Sequence, residues 1–259
     1  MIQLNGAVAI VTGASSGIGR ATAIALAKKG ALLVLASRNL AALEEVAELI
    51  RWRGQMPLVI PTDVTEPAQI ESMINTVLEH HGQIDILVAN SGEYIRAPVE
   101  QITLPVLEKS FQVNFYGAIS AILGVLPHML TRKSGHIVLV STMDTRLALP
   151  LDAPYTAAKA ALTGFGEVMR KELRGSGVSV TNVLPGRVDT AMIEHLRFHW
   201  ISKKISPEAV ARSIVRAIEQ KQVEVIIPFQ ARLLNFVNLI SPGMADWIIR
   251  HFHLEGWET

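Results

Sequence analysis

The chain has 259 residues, of which 49% are hydrophobic, and its 24 Lys and Arg nearly balance its 23 Asp and Glu. That balance gives no electrostatic case for nucleic-acid binding, and the lack of cysteine excludes disulfides, thiolate metal sites and cysteine nucleophiles. No basic region followed by an apolar stretch opens the chain, and no run of about 18 apolar residues occurs in it. We therefore expect a cytoplasmic protein with neither a secretory signal nor a membrane-spanning helix.

Short apolar runs alternate with amphipathic helical patterns along the chain. Strands are predicted at 7–11, 31–36, 58–60, 85–89, 136–140, 178–183 and 223–228. Helices are predicted at 20–29, 40–53, 66–81, 104–130, 155–173 and 207–220. This alternation is typical of a parallel sheet with helices on both faces. It predicts an α/β fold, a doubly wound Rossmann-type sheet of about seven strands, in a single domain over 1–259.

A glycine-rich turn, TGASSGIG from Thr12 to Gly19, joins the first predicted strand to the first helix. Glycines let a backbone approach a pyrophosphate closely, and the helix N-terminus supplies unpaired N–H groups and the positive end of a dipole. The spacing is G-x3-G-x-G rather than G-x-G-x-x-G, and such a turn can also be only a tight connection. Its position between a strand and a helix favours a dinucleotide site.

The second predicted strand ends at Ser37-Arg38, about 20 residues beyond the glycines. An acidic residue there would hold the ribose 2′-hydroxyl of NAD, whereas an arginine accommodates a 2′-phosphate. Ser37 can hydrogen-bond a phosphate oxygen, and Arg38 can pair with it and stack on adenine. The alternative is that Arg38 is a solvated loop residue. The pair favours NADP(H) over NAD(H) as the cofactor.

Polar residues follow two further predicted strands. Asp63 comes just after the third strand, and Asn90-Ser91-Gly92 follows the fourth. Ligands of doubly wound sheets bind at these carboxyl ends, although turn chemistry would account for the same residues. Asn114 lies inside a long apolar helical pattern, where a buried amide must find partners. It is either a satisfied core residue or a functional one.

Tyr155 and Lys159 are four residues apart in the alanine-rich run APYTAAKAALTGF. That run predicts a helix, so both side chains leave the same face. A free tyrosine has a pKa of about 10, and a nearby cation moves that pKa toward the working range of an acid/base catalyst. Taken alone, such a pair is more often a surface feature. Together with the other motifs it indicates a proton-transfer device.

These motifs together resemble the short-chain dehydrogenase/reductase family in its NADP(H)-preferring form. The resemblance covers about residues 5–227. The features that carry it, in the family's order and spacing, are the TGxxxGxG loop, Asp63-Val64, Asn90-Ser91-Gly92, Asn114, the YxxxK pair Tyr155 and Lys159, and Pro185-Gly186 with Thr190.

The resemblance implies roles for individual residues. Tyr155 would exchange a proton with a carbonyl or alcohol, Lys159 would lower the pKa of Tyr155 and bind the nicotinamide ribose, and Asn114 would hold a relay water behind Lys159. The implied cofactor-binding set is Gly13, Ser15, Ser16, Gly17, Ile18, Gly19, Ser37, Arg38, Asp63, Val64, Asn90, Ser91, Gly92, Val113, Tyr155, Lys159, Pro185, Gly186, Val188 and Thr190. No metal is expected, because His195 and His199 lack a third ligand with useful spacing.

Two positions depart from the family pattern. The third catalytic residue is usually a serine 13 positions before the tyrosine, and here that position holds Thr142 with Ser141 beside it. Side chains alternate along a strand, so only one of the two should point into the site. We predict that Thr142 polarises the carbonyl, with Ser141 as the alternative. Ser91 replaces a common alanine, which changes little.

The C-terminal third contains two further segments, residues 191–204 and 229–259. Residues 191–204 correspond to the family's substrate loop. Their apolar side chains predict a lid over a hydrophobic substrate, or else packing on the core or a subunit: Met192, Ile193, Leu196, Phe198 and Trp200. Residues 229–259 predict a helical extension that forms a pocket wall or an oligomer contact, in preference to an amphipathic helix pair on a membrane surface.

The sequence thus predicts an oxidoreductase that transfers a hydride between NAD(P)(H) and a carbonyl or secondary alcohol. Its preferred form is NADPH-dependent reduction of an apolar ketone or a 3-oxoacyl-type substrate. A non-catalytic NADP(H) sensor and a membrane-surface protein on the same fold are the alternatives. The intact set of Tyr155, Lys159 and Asn114 favours the enzyme, and the family implies a homodimer or homotetramer.

Overall fold

The computed structural model describes residues 3–52, 54–197, 204–252, 254 and 257–258. Its strands are β1 (Val8–Thr12), β2 (Leu32–Ser37), β3 (Leu58–Pro61), β4 (Ile86–Ala89), β5 (Gly135–Val140), β6 (Val178–Pro185), β7 (Leu196–Arg197), β8 (Glu224–Ile227) and β9 (Trp257–Glu258). Seven of them form one parallel sheet in the order β3-β2-β1-β4-β5-β6-β8, and β7 pairs antiparallel with β9.

The sheet strands are continuous apolar runs because helices cover both faces of the sheet. Ile10 at the centre of β1 pairs with Val34 of β2 on one side and Leu87 of β4 on the other, and all three are fully buried. The strand order reverses between β1 and β4. In an open parallel sheet such a reversal leaves a crevice at the carboxyl ends of the strands, which is where ligands bind.

The helices are α1 (Gly17–Ala27), α2 (Leu40–Arg51), α3 (Pro67–His81), α4 (Leu104–Phe111), α5 (Gly117–Arg132), α6 (Ala153–Glu172), α7 (Pro207–Gln220), α8 (Phe229–Ile240) and α9 (Pro242–His251). One hydrophobic cluster joins α1, α2 and α7 to one face of the sheet, and a second joins α3, α5 and α6 to the other. The predicted doubly wound α/β fold with seven parallel strands is confirmed.

The predicted helix at 104–130 is confirmed as one helical stretch, Leu104–Arg132, but its hydrogen-bonding pattern changes within it. Gln112–Tyr116 form a wider π-helical turn between α4 and α5, and this turn contains the buried Asn114. Such turns occur frequently at functional sites. Leu104–Arg132 is long and apolar enough to cross a membrane. In this fold, however, Ile122 and Met129 within it are fully buried in the hydrophobic cluster on the sheet.

The C-terminal extension is helical, as predicted, and consists of α8 and α9. Ala245 and Ile249 of α9 pack with Leu147 and Leu254 in a small third cluster. The outer side of the two helices exposes large apolar side chains: Phe229, Leu233, Phe236, Leu239, Ile240, Met244 and Trp247. Of the other predicted features, Phe198, His199 and Trp200 of the substrate loop and Arg53 at a helix end lie outside the described residues.

Candidate active site

A cleft of about 360 Å³ lies where the strands of the sheet end. Every residue of the predicted cofactor-binding set lines it, with the exception of Gly19. Thr142 and Ser141 also line the cleft, whereas Asn114 is fully buried behind it. The fold therefore brings the predicted motifs, which are spread over nearly 180 residues of sequence from Gly13 to Thr190, into one place.

The glycine loop after β1 is shaped by backbone contacts that exclude side chains. A Cβ atom on Gly19 would lie 2.1 Å from the carbonyl oxygen of Gly13, and Gly13 itself has a φ of 64°. Asn90 braces the loop, because its amide nitrogen donates to the carbonyl oxygen of Thr12 over 3.0 Å. The α1 N-terminus beside the loop carries no acidic residue in its first turn. This cradle fits a diphosphate group.

One end of the cleft, its cofactor end, contains Ser37, Arg38 and Asp63. The guanidinium of Arg38 lies 4.0 Å from the Asp63 carboxylate, and the Arg38 side chain is 69% exposed. Thr65 donates to Asp63 from its backbone nitrogen and its hydroxyl, over 2.9 and 2.8 Å. Burial raises the pKa of Asp63, but the Thr65 hydrogen bonds and the Arg38 charge outweigh it and hold that pKa below its usual range.

Lys159 and Asn114 both lie close to Gly92. The Lys159 side chain is only 3% exposed, and its ammonium group donates to the carbonyl oxygen of Val140 over 2.9 Å. Asn114 exchanges two hydrogen bonds with the backbone of Glu93, over 2.8 and 3.1 Å. A Cβ atom on Gly92 would lie 2.8 Å from the Asn114 amide oxygen and 3.4 Å from the Lys159 nitrogen. Asn114 is therefore a satisfied buried amide next to Lys159.

The protonation of Tyr155 differs from the prediction. Burial raises the pKa of Tyr155, and the negative charges of Asp144 and Asp152 raise it further, while a hydrogen bond with Thr142 lowers it in part. This direction is opposite to the predicted lowering by Lys159, and burial is its largest cause. Burial lowers the pKa of Lys159 to about 8. The phenol of Tyr155 is therefore held in its proton-donating form.

Of the two neighbouring hydroxyls, Thr142 is the one beside Tyr155. It is close enough to the phenol to lower the pKa of Tyr155. The hydroxyl of Ser141 instead bonds the carbonyl oxygen of Lys159 over 3.1 Å and the hydroxyl of Thr163 over 2.7 Å. Ser141 thus ties β5 to α6, as the alternation of side chains along a strand requires. The geometry favours Thr142 over Ser141 as the hydroxyl that faces a substrate.

Two acidic side chains, Asp144 and Asp152, line the cleft at the end that holds Tyr155, the substrate end, and were not among the predicted site residues. Asp152 is 1% exposed, and its Oδ1 accepts a 2.6 Å hydrogen bond from the hydroxyl of Tyr94 and lies 3.3 Å from Nε of Arg96. The Tyr94 ring meets the Tyr155 ring edge to face at 5.1 Å. Burial raises the pKa of Asp152 to about 6.

Asp144, the second acidic side chain, is bonded to Thr142 and lines the cleft. A usable signal existed in the sequence, since Asp144 follows Thr142 by two positions and Asp152 precedes Tyr155 by three. Both carboxyl groups are close enough to Tyr155 to raise its pKa, so they bear on any acid/base chemistry at the cleft.

The described part of the substrate loop forms an apolar wall. Met192 and Ile193 line the cleft together with Leu149. Farther along, Leu196 is buried, and the backbone of β7 pairs with β9 near the C-terminus. The end of the chain is thereby joined to the substrate loop, a contact that the helical stripes of residues 229–259 did not predict. His195 belongs to the same loop, while its predicted neighbour His199 is outside the described residues.

A doubly wound sheet, a glycine cradle and a Tyr–Lys–Thr–Asn group at one cleft define a nicotinamide-nucleotide dehydrogenase or reductase. Comparison with known families agrees, because residues 7–199 match the model of the short chain dehydrogenases. The chain belongs to the short-chain dehydrogenase/reductase family, whose members are oxidoreductases that bind NAD(P)(H).

Several characterised or solved proteins are similar to this chain over most of its length. A ketoacyl reductase of Nostoc sp. is 32% identical, covering 97% of this chain and 91% of its own. A fatty acyl-CoA reductase of Acinetobacter baylyi is 32% identical, covering 93% of this chain and 82% of its own. The crystal structure of a short-chain type dehydrogenase/reductase from Mycobacterium marinum is 25% identical, with a TM-score of 0.81 over 87% of this chain and 95% of its own.

Proposed function

We propose that this oxidoreductase is an NADP(H)-dependent reductase of ketones that have a large apolar portion, with alcohol oxidation as the reverse reaction. One observation carries the proposal: Tyr155, Thr142 and Lys159 meet in a single cleft whose far end is Ser37 and Arg38. The first group supplies acid/base chemistry, and the second supplies a cation and a hydroxyl where a 2′-phosphate would be recognised.

The chain's residues divide the cofactor between them. The glycine cradle at Gly13 and Gly19 would hold the diphosphate, Arg38 and Ser37 the adenosine 2′-phosphate, and Lys159 the nicotinamide ribose. Arg38 has a mostly exposed side chain, which leaves its guanidinium accessible to a phosphate. When bound, the nicotinamide supplies the hydride that reduces a carbonyl carbon.

The side chains at the other end manage the charge and the proton. Negative charge grows on the carbonyl oxygen as it is reduced, and the hydroxyls of Tyr155 and Thr142 donate hydrogen bonds to that oxygen. Tyr155 then gives its proton to the oxygen, which forms the alcohol. The raised pKa of Tyr155 supports this direction, because it keeps the phenol protonated at neutral pH. Lys159, with a pKa of about 8, stays largely cationic at the same pH.

Two observations support an apolar ketone or a 3-oxoacyl-type substrate. Leu149, Met192 and Ile193 form an apolar wall at the substrate end of the cleft. Relatives that cover most of this chain are named ketoacyl reductase and fatty acyl-CoA reductase, and both names describe substrates with a hydrocarbon chain. A hydrocarbon chain would pack against such a wall through the hydrophobic effect.

The exposed apolar side chains of α8 and α9 support a second part of the proposal, self-association into a homodimer or homotetramer. Contiguous apolar surface of this kind marks a contact site. Light scattering after gel filtration should show an assembly that Phe236→Ser with Trp247→Ser weakens. A monomer that instead binds lipid vesicles, and loses that binding in the same double variant, would favour the membrane-surface alternative.

The direct test of the proposed function is a fluorescence titration of the purified protein with NADPH and then NADH. NADPH should bind at least about 10-fold more tightly, and Arg38→Ala should remove that preference, because a charge-assisted bond to phosphate is lost. Arg212→Ala, on the exposed side of α7, removes the same charge far from the cleft and serves as the control.

Turnover is then measured with NADPH and a series of ketones and 3-oxoacyl thioesters. Equal affinity for NADH would overturn the NADP(H) assignment alone. Binding of NADPH without turnover of any carbonyl compound would favour a cofactor sensor. Failure to bind either nucleotide would overturn the whole proposal.

A further inference from the structure

The hydroxyl of Thr142 has one proton to donate, and several polar groups lie around it. Its Oγ1 lies 2.9 Å from Oδ2 of Asp144 and 3.2 Å from the backbone nitrogen of Asp144, and Thr142 is close enough to Tyr155 to lower the pKa of the phenol. A hydroxyl carries one proton to donate and two lone pairs to accept with. The direction of each bond is therefore decided by the neighbours, and Asp144 is the neighbour whose own donor capacity depends on its protonation.

With Asp144 ionised, the bonds run away from the cleft. A carboxylate only accepts, so the single proton of Thr142 goes to Oδ2 of Asp144. Thr142 then accepts from the backbone N–H of Asp144. The Thr142 proton, which the proposed reaction needs, would point to Asp144 and away from a carbonyl oxygen.

With Asp144 protonated, the direction reverses. The carboxyl O–H donates to Oγ1 of Thr142, and the proton of Thr142 is available to the substrate. The same side chains in the same positions thus form a productive or an unproductive arrangement, and one proton on Asp144 separates them.

The surroundings of Asp144 favour the protonated form. Burial raises the pKa of Asp144, and this effect outweighs the lowering by the Thr142 hydrogen bond and by the charge of Arg187. The ionisable groups around it are Asp152, Tyr94, Tyr155 and Arg187, and the negative charge of Asp144 raises the pKa of the first three. Two carboxylates near each other resist joint ionisation.

We propose that Asp144 is a positioning residue that works in its protonated form and directs the proton of Thr142 to the carbonyl oxygen of the substrate. The inference rests on the proposed reduction of a carbonyl group. Asp144 keeps its proton throughout, while Tyr155 is the group that transfers a proton to the product oxygen. Thr142 contributes only a hydrogen bond, so no additional reactant is needed.

The test compares Asp144→Asn with Asp144→Ala over a range of pH. The asparagine amide is nearly isosteric and, with its nitrogen toward Thr142, donates at every pH as the protonated acid does. We expect kcat/KM for ketone reduction to fall in the wild type as pH rises through the pKa of Asp144. Asp144→Asn should keep the low-pH activity and lack that fall, and Asp144→Ala should lose about 10-fold at all pH values.

A merely structural role for Asp144 predicts something else. Asp144→Asn and Asp144→Ala would then both lose activity without any change in the shape of the pH profile. Retention of the same fall in Asp144→Asn would equally overturn the proposal. Glu71→Gln on the exposed side of α3 is the control for the loss of one negative charge, and it should leave both activity and profile unchanged.

Infrared spectroscopy tests the protonation itself without any turnover. Above about pH 5 an ordinary aspartate is ionised, so a protonated carboxyl band that disappears in Asp144→Asn identifies Asp144. Asp152→Asn assigns the separate band of the neighbouring acid. If no ketone is reduced, the proposed function fails, and the band still decides separately whether Asp144 is protonated. A band specific to Asp144 supports the hydrogen-bond chain, and its absence overturns it.

Discussion

The two ends of the cleft shift the pKa values of their acidic side chains in opposite directions. At the cofactor end, Thr65 and Arg38 hold the pKa of Asp63 below its usual range. At the substrate end, burial raises the pKa of Asp144 and Asp152, in the latter case to about 6. The first end stabilises a carboxylate and the second resists one. The difference follows mainly from burial, since the Asp63 side chain is 29% exposed whereas Asp152 is 1% exposed. The negative charge of Asp144 raises the pKa of Asp152 further.

The backbones of the two ends differ in the same sense. The cofactor end uses glycines where the chain needs a positive φ, as at Gly13 and Gly17. The substrate end places a leucine in that region, because Leu151 has a φ of 73° immediately before Asp152. The Ala97 N–H holds this turn by donating to the Leu151 carbonyl oxygen over 2.9 Å. A non-glycine residue in this conformation stores strain of about 1–3 kcal/mol, a feature found at functional sites. The cofactor end is therefore relaxed and the substrate end is strained.

The largest effect on activity should come from Tyr155, the proposed proton donor. Tyr155→Phe keeps the ring that packs on Tyr94 but removes the proton, so kcat should fall about 10²- to 10⁴-fold. NADPH affinity, measured by fluorescence titration, should change little, because the cradle is untouched. A variant that keeps most of its kcat would mean that another group supplies the proton.

The burial of Asp152 at the substrate end should appear as a pH dependence of stability. The pKa of Asp152 is raised in the folded protein, so the folded state binds more protons than the unfolded state between about pH 4 and the folded pKa of about 6. Wild-type stability therefore falls as pH rises through this window, relative to Asp152→Asn, by up to about 3 kcal/mol. Urea unfolding of both proteins at pH 4 and pH 7 measures this change. A difference that stays constant would show that Asp152 ionises without penalty.

The close packing of the cofactor end is broken by a single methyl group. Gly19→Ala places a Cβ atom against the Gly13 carbonyl oxygen, and the loop must shift, so the Kd for NADPH should rise about 10- to 100-fold. Gly164→Ala is the matched control, because nothing lies within 4 Å of its added Cβ. On the exposed side of α6 it should stabilise the protein by about 0.5–1 kcal/mol without changing Kd. Equal effects on Kd would remove the argument for a cradle.

The smallest effect should come from the acid of the cofactor end, with the opposite sign. The pKa of Asp63 is lowered on folding, so its contribution to stability is present above the unfolded pKa and is lost as pH falls through the folded one. Asp63→Asn should therefore destabilise the protein at neutral pH, by less than about 1 kcal/mol because the side chain is partly exposed. The loss should disappear in acid. A gain at neutral pH would make the two ends alike.

The cofactor end is also the end that was predictable. The glycines at 13, 17 and 19 indicate a tight backbone turn that side chains would obstruct. An apolar run of about four to six residues indicates a buried strand. The seven strands, the glycine loop and the Tyr155–Lys159 spacing therefore followed from local sequence. Those features depend on conformations that a few neighbouring residues dictate, and the structure reproduces them with small shifts at the ends, such as the start of α1 at Gly17.

The substrate end depends on contacts between distant parts of the chain. No local pattern places Tyr94 against Asp152, 58 residues later, or turns the Lys159 ammonium to the carbonyl of Val140. The π-helical turn around Asn114 and the pairing of β7 with β9 are decided in the same way. The sequence by itself thus determined the fold and the family, and it predicted the side chains proposed here to react. Only the tertiary structure decided their protonation, because pKa values depend on burial and on charges that folding brings together.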